Sequence, residues 1–332
     1  MWCRPLLALA IGCARPDSGP APDRVSSQSL STAAHQGGEP LPHDVHGLLA
    51  ITRASANGSV LAVISVGDGV GPLRILHREP SAELFEPIFS ADGEAITFVR
   101  DVGGSVARPE IWVHTLDDGR TEKLADCYRE GEHPLAPICG GHFVARGRQL
   151  WMARTVDLDK QVIERLPWAQ RASPPIVAVR PSQYDQCYLR LVLDPRTGAA
   201  LLAVDHSSGS ARCDPQHLGL YSLSDTGEAK LIFALPDTKT DIVVGRDARA
   251  YFLDTDSPAS TIRLDGADRT LSKLDPLMDP PFRLQAHWTI AESSDGLVVV
   301  PPASSEAKAR IVLEVSPGDR ITGFDLRPAS RR

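Results

Sequence analysis

LFEPIFSADGEAITFVRDVGGSVARPEIWVHTLDDGRTEKLAD, residues 84–126, holds four short runs of β-forming residues with turn signals between them. Pro87–Ser90 leads into Ala91-Asp92-Gly93, then come Ala95–Arg100, a Gly-rich loop, Glu110–Leu116, Asp117-Asp118-Gly119 and Thr121–Leu124. Asp-Gly pairs set the positive-φ corner of a tight hairpin, so the segment reads as a four-stranded antiparallel meander. A lone meander has two faces to cover and cannot bury both by itself. It needs copies.

Degenerate copies run through the chain. LYSLSDTGEAKLIFAL (220–235), RIVLEVSPGDRITGFDL (310–326) and SVLAVISVGDGVGPLRIL (59–76) each repeat the third strand, turn and fourth strand. First-to-second-strand turns are expected near Asp44, Asp92-Gly93, Arg146-Gly147, Arg196-Thr197-Gly198, Arg246-Asp247 and Ser294-Asp295-Gly296. A period of roughly 50 residues belongs to propeller blades rather than to helical solenoids. The reading is all-β, a six-bladed β-propeller over residues 37–328. PIFSADGEAITFVR followed by EIWVHTLDDGRTEKL resembles the TolB-type propeller repeat, strongly at 84–126, less at 142–166 and 220–235, and elsewhere mainly by spacing. TolB proteins carry an α/β domain ahead of the propeller, whereas residues 14–38 read as a tether. The resemblance therefore implies the fold and not a role in the Tol system. The first blade is expected to take its inner strand from 37–43. Trp112 and Trp151 are expected at equivalent third-strand positions, packing between blades.

The start of the chain reads as an address. In MWCRPLLALAIGC, Arg4 precedes a short apolar stretch from Leu6 to Ile11, followed by Gly12 and Cys13. This is the layout of a secretory signal. Ala10-Ile11-Gly12-Cys13 resembles the lipobox of bacterial lipoproteins, with Ala10 where the family carries Leu. That resemblance implies a signal peptide over 1–12, lipidation at Cys13 and a disordered tether over 13–36. Ala14 after the cysteine implies delivery to the outer membrane, facing the periplasm. A plain secretory signal is the alternative. The tether reading also rests on composition, since ARPDSGPAPDRVSSQSLSTAAHQGG is rich in Pro, Ser, Gly and Ala.

Charge and composition narrow the function classes. The 332 residues carry a net charge of −7, which offers no basic surface of the kind nucleic acid needs. No apolar run reaches the roughly 18 residues that span a bilayer, so membrane contact is expected through a lipid anchor alone. Nucleophilic catalysis finds little footing. Gly103-Gly104-Ser105-Val106-Ala107 is a loose nucleophile elbow, but it lies between two strands rather than at a strand-to-helix turn. No hydrolase domain is expected within these residues. Asp157-Leu158-Asp159 and Asp254-Thr255-Asp256 lack the Gly and distal Glu of a calcium loop and read as rim turns. No metal site and no cofactor are expected.

Four cysteines remain beyond the signal: Cys127, Cys139, Cys187 and Cys213. An exported chain makes disulfides of them. In a blade, the loop entering the inner strand and the loop joining the second and third strands share one face. Cys127 and Cys139 both fall in the loop entering the third blade; Cys187 opens the fourth blade's inner strand, and Cys213 lies in that blade's second-to-third loop. The expected pairs are Cys127–Cys139 and Cys187–Cys213. A metal site built on Cys139, His142 and Cys127 is the competing reading. The long loops of this face carry Arg129, His133, Trp168, Tyr184, Asp185, Arg212 and His217, residue types that dominate binding hot spots. Two readings stand: a face that binds a protein or peptide, or tolerated insertions stapled against fraying. A metal-dependent hydrolase or lactonase-like enzyme with a channel site is the alternative from another class. It would need acids on the inner strands EPIFSADG, GGHFVARG, YLRLVLDP and LQAHWTIA, which carry few.

Overall fold

The computed structural model describes residues 46–67, 69–103, 108–127, 139–157, 160–168, 175–180, 184, 187–194, 196–205, 213–235, 241–244, 249–254, 257–263, 269–271, 283–285, 288–293, 296–300 and 310–328. They form an all-β protein of six four-stranded antiparallel sheets, with one three-residue 3-10 turn, Pro215–His217. The second sheet is the meander read from sequence: β4 (Glu83–Phe89), β5 (Ala95–Asp101), β6 (Pro109–Thr115) and β7 (Thr121–Asp126). The third comprises β8 (Cys139–Ala145), β9 (Gln149–Asp157), β10 (Lys160–Pro167) and β11 (Ile176–Val179). The fourth comprises β12 (Tyr188–Leu193), β13 (Ala200–Asp205), β14 (Gly219–Leu223) and β15 (Ala229–Ala234). The fifth runs through β16 (Asp241–Val244), β17 (Arg249–Asp254), β18 (Ser257–Arg263) and β19 (Arg269–Leu271), and the sixth through β20 (Arg283–Gln285), β21 (Trp288–Ser293), β22 (Gly296–Val300) and β23 (Arg310–Glu314).

The first sheet is the exception to sequence order. It combines β1 (Gly47–Ser55), β2 (Gly58–Val66) and β3 (Arg74–Glu79) with β24 (Arg320–Pro328), in the order β24-β1-β2-β3. Its first strand therefore comes from the far end of the chain and not from 37–43, which lie outside the described residues along with Asp44. A propeller that borrows a terminal strand hides the edge that would otherwise stay open. Segment 310–326 consequently does not repeat a third-and-fourth-strand pair. Its first half is the outer strand of the sixth sheet, and its second half crosses to the first.

Side chains of β24 reach the second sheet as well. Asp325, fully buried, accepts a hydrogen bond from the Phe89 amide at 2.9 Å. Thr322 donates to the Leu84 carbonyl, Arg327 to the Gly93 carbonyl, and Arg320 pairs with Glu83. Gly323 adopts φ 157°, and a Cβ there would come within 2.8 Å of the Glu86 amide nitrogen, so the close approach of the two strands requires glycine.

Packing explains the apolar runs. In β5 the stretch Ala95–Val99 is buried throughout, because a sheet between two others covers both faces. One cluster joins Ala50, Leu61 and Val63 to Leu84, Phe89, Ile96 and Phe98 across the first and second sheets. Another joins Ile111 and Val113 to Val144, Leu150 and Met152 across the second and third. A third joins Phe143, Trp151 and Ile163 to Leu189, Leu191 and Leu202 across the third and fourth. Leu297 and Leu313 of the sixth sheet pack with Leu49, Ile51 and Phe324 of the first. Each buried Val, Leu, Ile, Phe or Met among them contributes about 1.5–3 kcal/mol by leaving water.

Two register expectations need correction. Trp112 is on a third strand, but Trp151 is on β9, a second strand, where it packs toward the fourth sheet. Ser294-Asp295-Gly296 joins the second and third strands of the sixth sheet, since β20 is only three residues long and pairs with β21 as Gln285↔Trp288. The segment LQAHWTIA thus spans two strands rather than forming one inner strand.

Candidate binding face

Antiparallel order alternates the loops between two faces. Backbone bonds from Ala91 to the Val144 carbonyl (2.9 Å) and from Arg146 to the Gly198 carbonyl (2.8 Å) link the first-to-second-strand turns of three sheets on one face. The opposite face carries the disulfide Cys187–Cys213, with Cα atoms 4.6 Å apart. It joins the residue before β12 to the β13–β14 connection, the pair expected from the blade register. Cys127 is buried and also disulfide-bonded; the rest of its loop, 128–138, lies outside the described residues.

The disulfide fixes a small aromatic cluster. After Cys213, Asp214 caps the 3-10 turn, its carboxylate accepting from the Gln216 amide at 3.0 Å. Pro215 at the first helical position is preset for that turn. The Tyr221 hydroxyl donates to the His217 carbonyl at 2.7 Å. The Tyr184 carbonyl accepts from the Cys187 amide at 3.1 Å, and its ring stands edge-on to His217 (5.5 Å, 80°) and Tyr221 (5.6 Å, 67°). Such T-shaped pairs satisfy the ring quadrupoles. Burial, with Tyr221 alongside, pushes the Tyr184 phenol up to about 12, and burial raises Tyr221 too. Both hydroxyls stay protonated at neutral pH, as donors and not bases.

At the start of β12, Tyr188 is 40% exposed. The Arg190 guanidinium lies 6.0 Å from the centre of its ring and pairs with the buried carboxylate of Asp205. Leu189, Leu191 and Leu193, the alternate residues, pack inward. The Leu189 amide donates to Gln161 Oε1 of the third sheet at 2.6 Å, anchoring the strand start. An exposed aromatic with a cation held over it is an arrangement suited to binding.

Among the sequence candidates, the structure brings together Cys187, Cys213, Tyr184 and His217. Trp168 belongs elsewhere. It is 8% exposed, packs with Leu150, Met152 and Leu166, and lies beneath Arg148 at 5.2 Å, so it is a core residue and not an exposed contact. Arg129, His133, Asp185 and Arg212 lie outside the described residues. His142, a ligand in the competing metal reading, sits in β8 fully buried, with burial pushing its pKa down to about 3; its Nδ1 is 3.9 Å from a Glu86 carboxylate oxygen. Among the described residues no three His, Cys, Asp or Glu are grouped to hold a metal ion, and no helix is long and apolar enough to cross a membrane.

Sequence reasoning missed Tyr188, Arg190 and Asp205. The signal was present in YLRLVL, where Tyr188 and Arg190 alternate with three leucines. It also missed the buried pair Arg154–Glu164, joined at 3.0 and 3.3 Å, with Arg154 donating to the Cys127 carbonyl at 3.2 Å.

Solved structures match this architecture. The TolB protein of Acinetobacter baumannii aligns with a TM-score of 0.52 at 13% identity, over 85% of this chain and 68% of that one. The chain has a TolB-like propeller fold. A puromycin hydrolase aligns at TM-score 0.44 and 11% identity over 83% of this chain and 48% of its own. The tricorn protease aligns at TM-score 0.47 and 13% identity over 82% of this chain and 27% of its own. Likeness at this identity concerns the fold alone. No family model matches the chain, and no match to a curated protein was found.

Proposed function

We propose that this protein is a non-enzymatic binding module of the bacterial envelope, lipidated at Cys13 and held at the outer membrane facing the periplasm. Its disulfide-clamped face takes a protein or peptide partner. The observation that carries the reading is Tyr188, exposed beside the Cys187–Cys213 clamp with Arg190 over its ring. A group set on a strand beside a disulfide meets its partner at a lower ordering cost. The lipobox-like start and the Pro- and Ser-rich segment behind it support the anchored placement.

Two experiments test the halves of this reading separately. Cys13→Ser should shift the protein out of the membrane fraction or leave it unprocessed; unchanged membrane partition and acyl labelling would remove the lipid anchor. Capture from envelope extracts by the purified propeller should weaken at least tenfold for Tyr188→Ala and stay unchanged for Asp225→Ala on the opposite face. Loss only in Asp225→Ala would place the binding site on the wrong face. Calcium-dependent hydrolysis of ester or lactone probes by the purified protein would favour the enzyme reading instead.

A further inference from the structure

Two histidines lie in the seam between the first and second sheets. Along β6, Ile111 and Val113 pack toward the third sheet, so the alternate residues Trp112 and His114 are turned to the first. His114 is 2% exposed, and its Nδ1 lies 2.8 Å from Thr121 Oγ1. From the first sheet, His77 on β3 packs its ring 5.9 Å from that of the fully buried Phe98. Its Nε2 is buried with no hydrogen-bond partner.

Basic and acidic groups both surround the pair. Arg74 and Glu79 face it from β3, Arg100 from β5 and Asp118 from the β6–β7 turn. Glu79 is committed to Arg100 at 2.7 Å, and Arg100 also reaches Glu110 of β6 at 3.1 Å; Lys123 of β7 holds the other oxygen of Glu110 at 2.8 Å. Burial is the largest influence on both imidazoles and lowers both pKa values. At His77 the Glu79 carboxylate works against burial and Arg100 adds to it more weakly; at His114, His77 and Arg74 add to it and Asp118 works against it. Protonating either histidine also works against the other.

We propose that this seam is an acid-sensitive joint, in which protonation of His77 and His114 charges an apolar contact already flanked by Arg74 and Arg100 and loosens the first sheet from the second. The sign follows from linkage. Both groups sit below the ordinary histidine value of 6.5 when folded, so the opened state takes up protons first as pH falls. Closure is fully favoured above 6.5 and is lost progressively below it. The first sheet is also the one completed by β24, at the edge opposite β3.

Hydrogen exchange between pH 7.5 and 5.5, corrected for intrinsic rates, tests the joint on the full chain. Amides of 60–63, 75–79 and 111–115 should open more often at the lower pH, by up to about tenfold for each histidine, the ceiling for a group of ordinary value 6.5 over this range, while 201–204 in the fourth sheet should not change. His77→Gln with His114→Gln should abolish the difference. Uniform opening across sheets, or the same seam opening in the double variant, would overturn the proposal. Should the double variant fail to fold, histidine NMR titration of the native chain decides: both rings titrating below 6.5 supports the joint, and either at or above 6.5 refutes it.

Discussion

Replacing both Cys187 and Cys213 by alanine tests how far the candidate face depends on its clamp. The two cysteines are 26 residues apart in sequence and are both nearly buried, at 5% and 3% exposure. Closing a loop of that length removes about 3.5 kcal/mol of chain entropy from the unfolded state on the loop-closure model. At about 2.1 cal/mol/K of unfolding entropy per residue, roughly 280 residues give about 0.6 kcal/mol/K, so the melting temperature should fall by about 6 °C. Alanine is the right replacement, since serine would bury a hydroxyl and confound the measurement. Calorimetry of the oxidised wild type against the double variant gives the shift directly. Reduction of the wild type is not equivalent, because Cys127 is also disulfide-bonded. A fall of less than 2 °C would show that the β13–β14 connection is held in place without the clamp, and the argument for a preorganised Tyr184–His217–Tyr221 cluster would go with it.

Other expectations follow from burial. Trp168→Ala should destabilise by about 3–5 kcal/mol as a core truncation, whereas Tyr188→Ala should change stability by no more than about 0.5 kcal/mol; urea titration of both compares them. Glu164→Ala removes the carboxylate that faces buried Arg154 and should cost about 3–5 kcal/mol, with a cost under 1 kcal/mol showing that the guanidinium is solvated. Ending the chain after Asp319 deletes β24, and the remainder should lose cooperative unfolding; retention of a sharp transition would mean that the first sheet stands without it.

The meander was legible because its determinants are local. Asp92-Gly93 and Asp117-Asp118-Gly119 announce hairpins by themselves, and buried runs such as Ala95–Val99 read as strands in any register. The closing strand was not legible, because nothing in RITGFDLRP states whether it pairs with β23 or with β1, nearly three hundred residues away. What decides it lies in tertiary contacts: Asp325 reaching the Phe89 amide, and Gly323 against Glu86. The sixth sheet misled for a related reason. β20 is three residues long, too short for a hydrophobic pattern to register. At the candidate face, cysteine spacing combined with blade geometry led to Cys187–Cys213. The aromatic and basic residues could be ranked only by type, and type does not separate the exposed Tyr188 from the buried Trp168.

The central claim is that the clamped face is the one that binds. A photo-crosslinking residue placed at position 188, with a second protein carrying it at position 225, tests this most directly in envelope preparations. The account expects a discrete crosslinked partner from 188, competed away by unlabelled propeller, and none from 225. A competable adduct from 225 with none from 188 would contradict it.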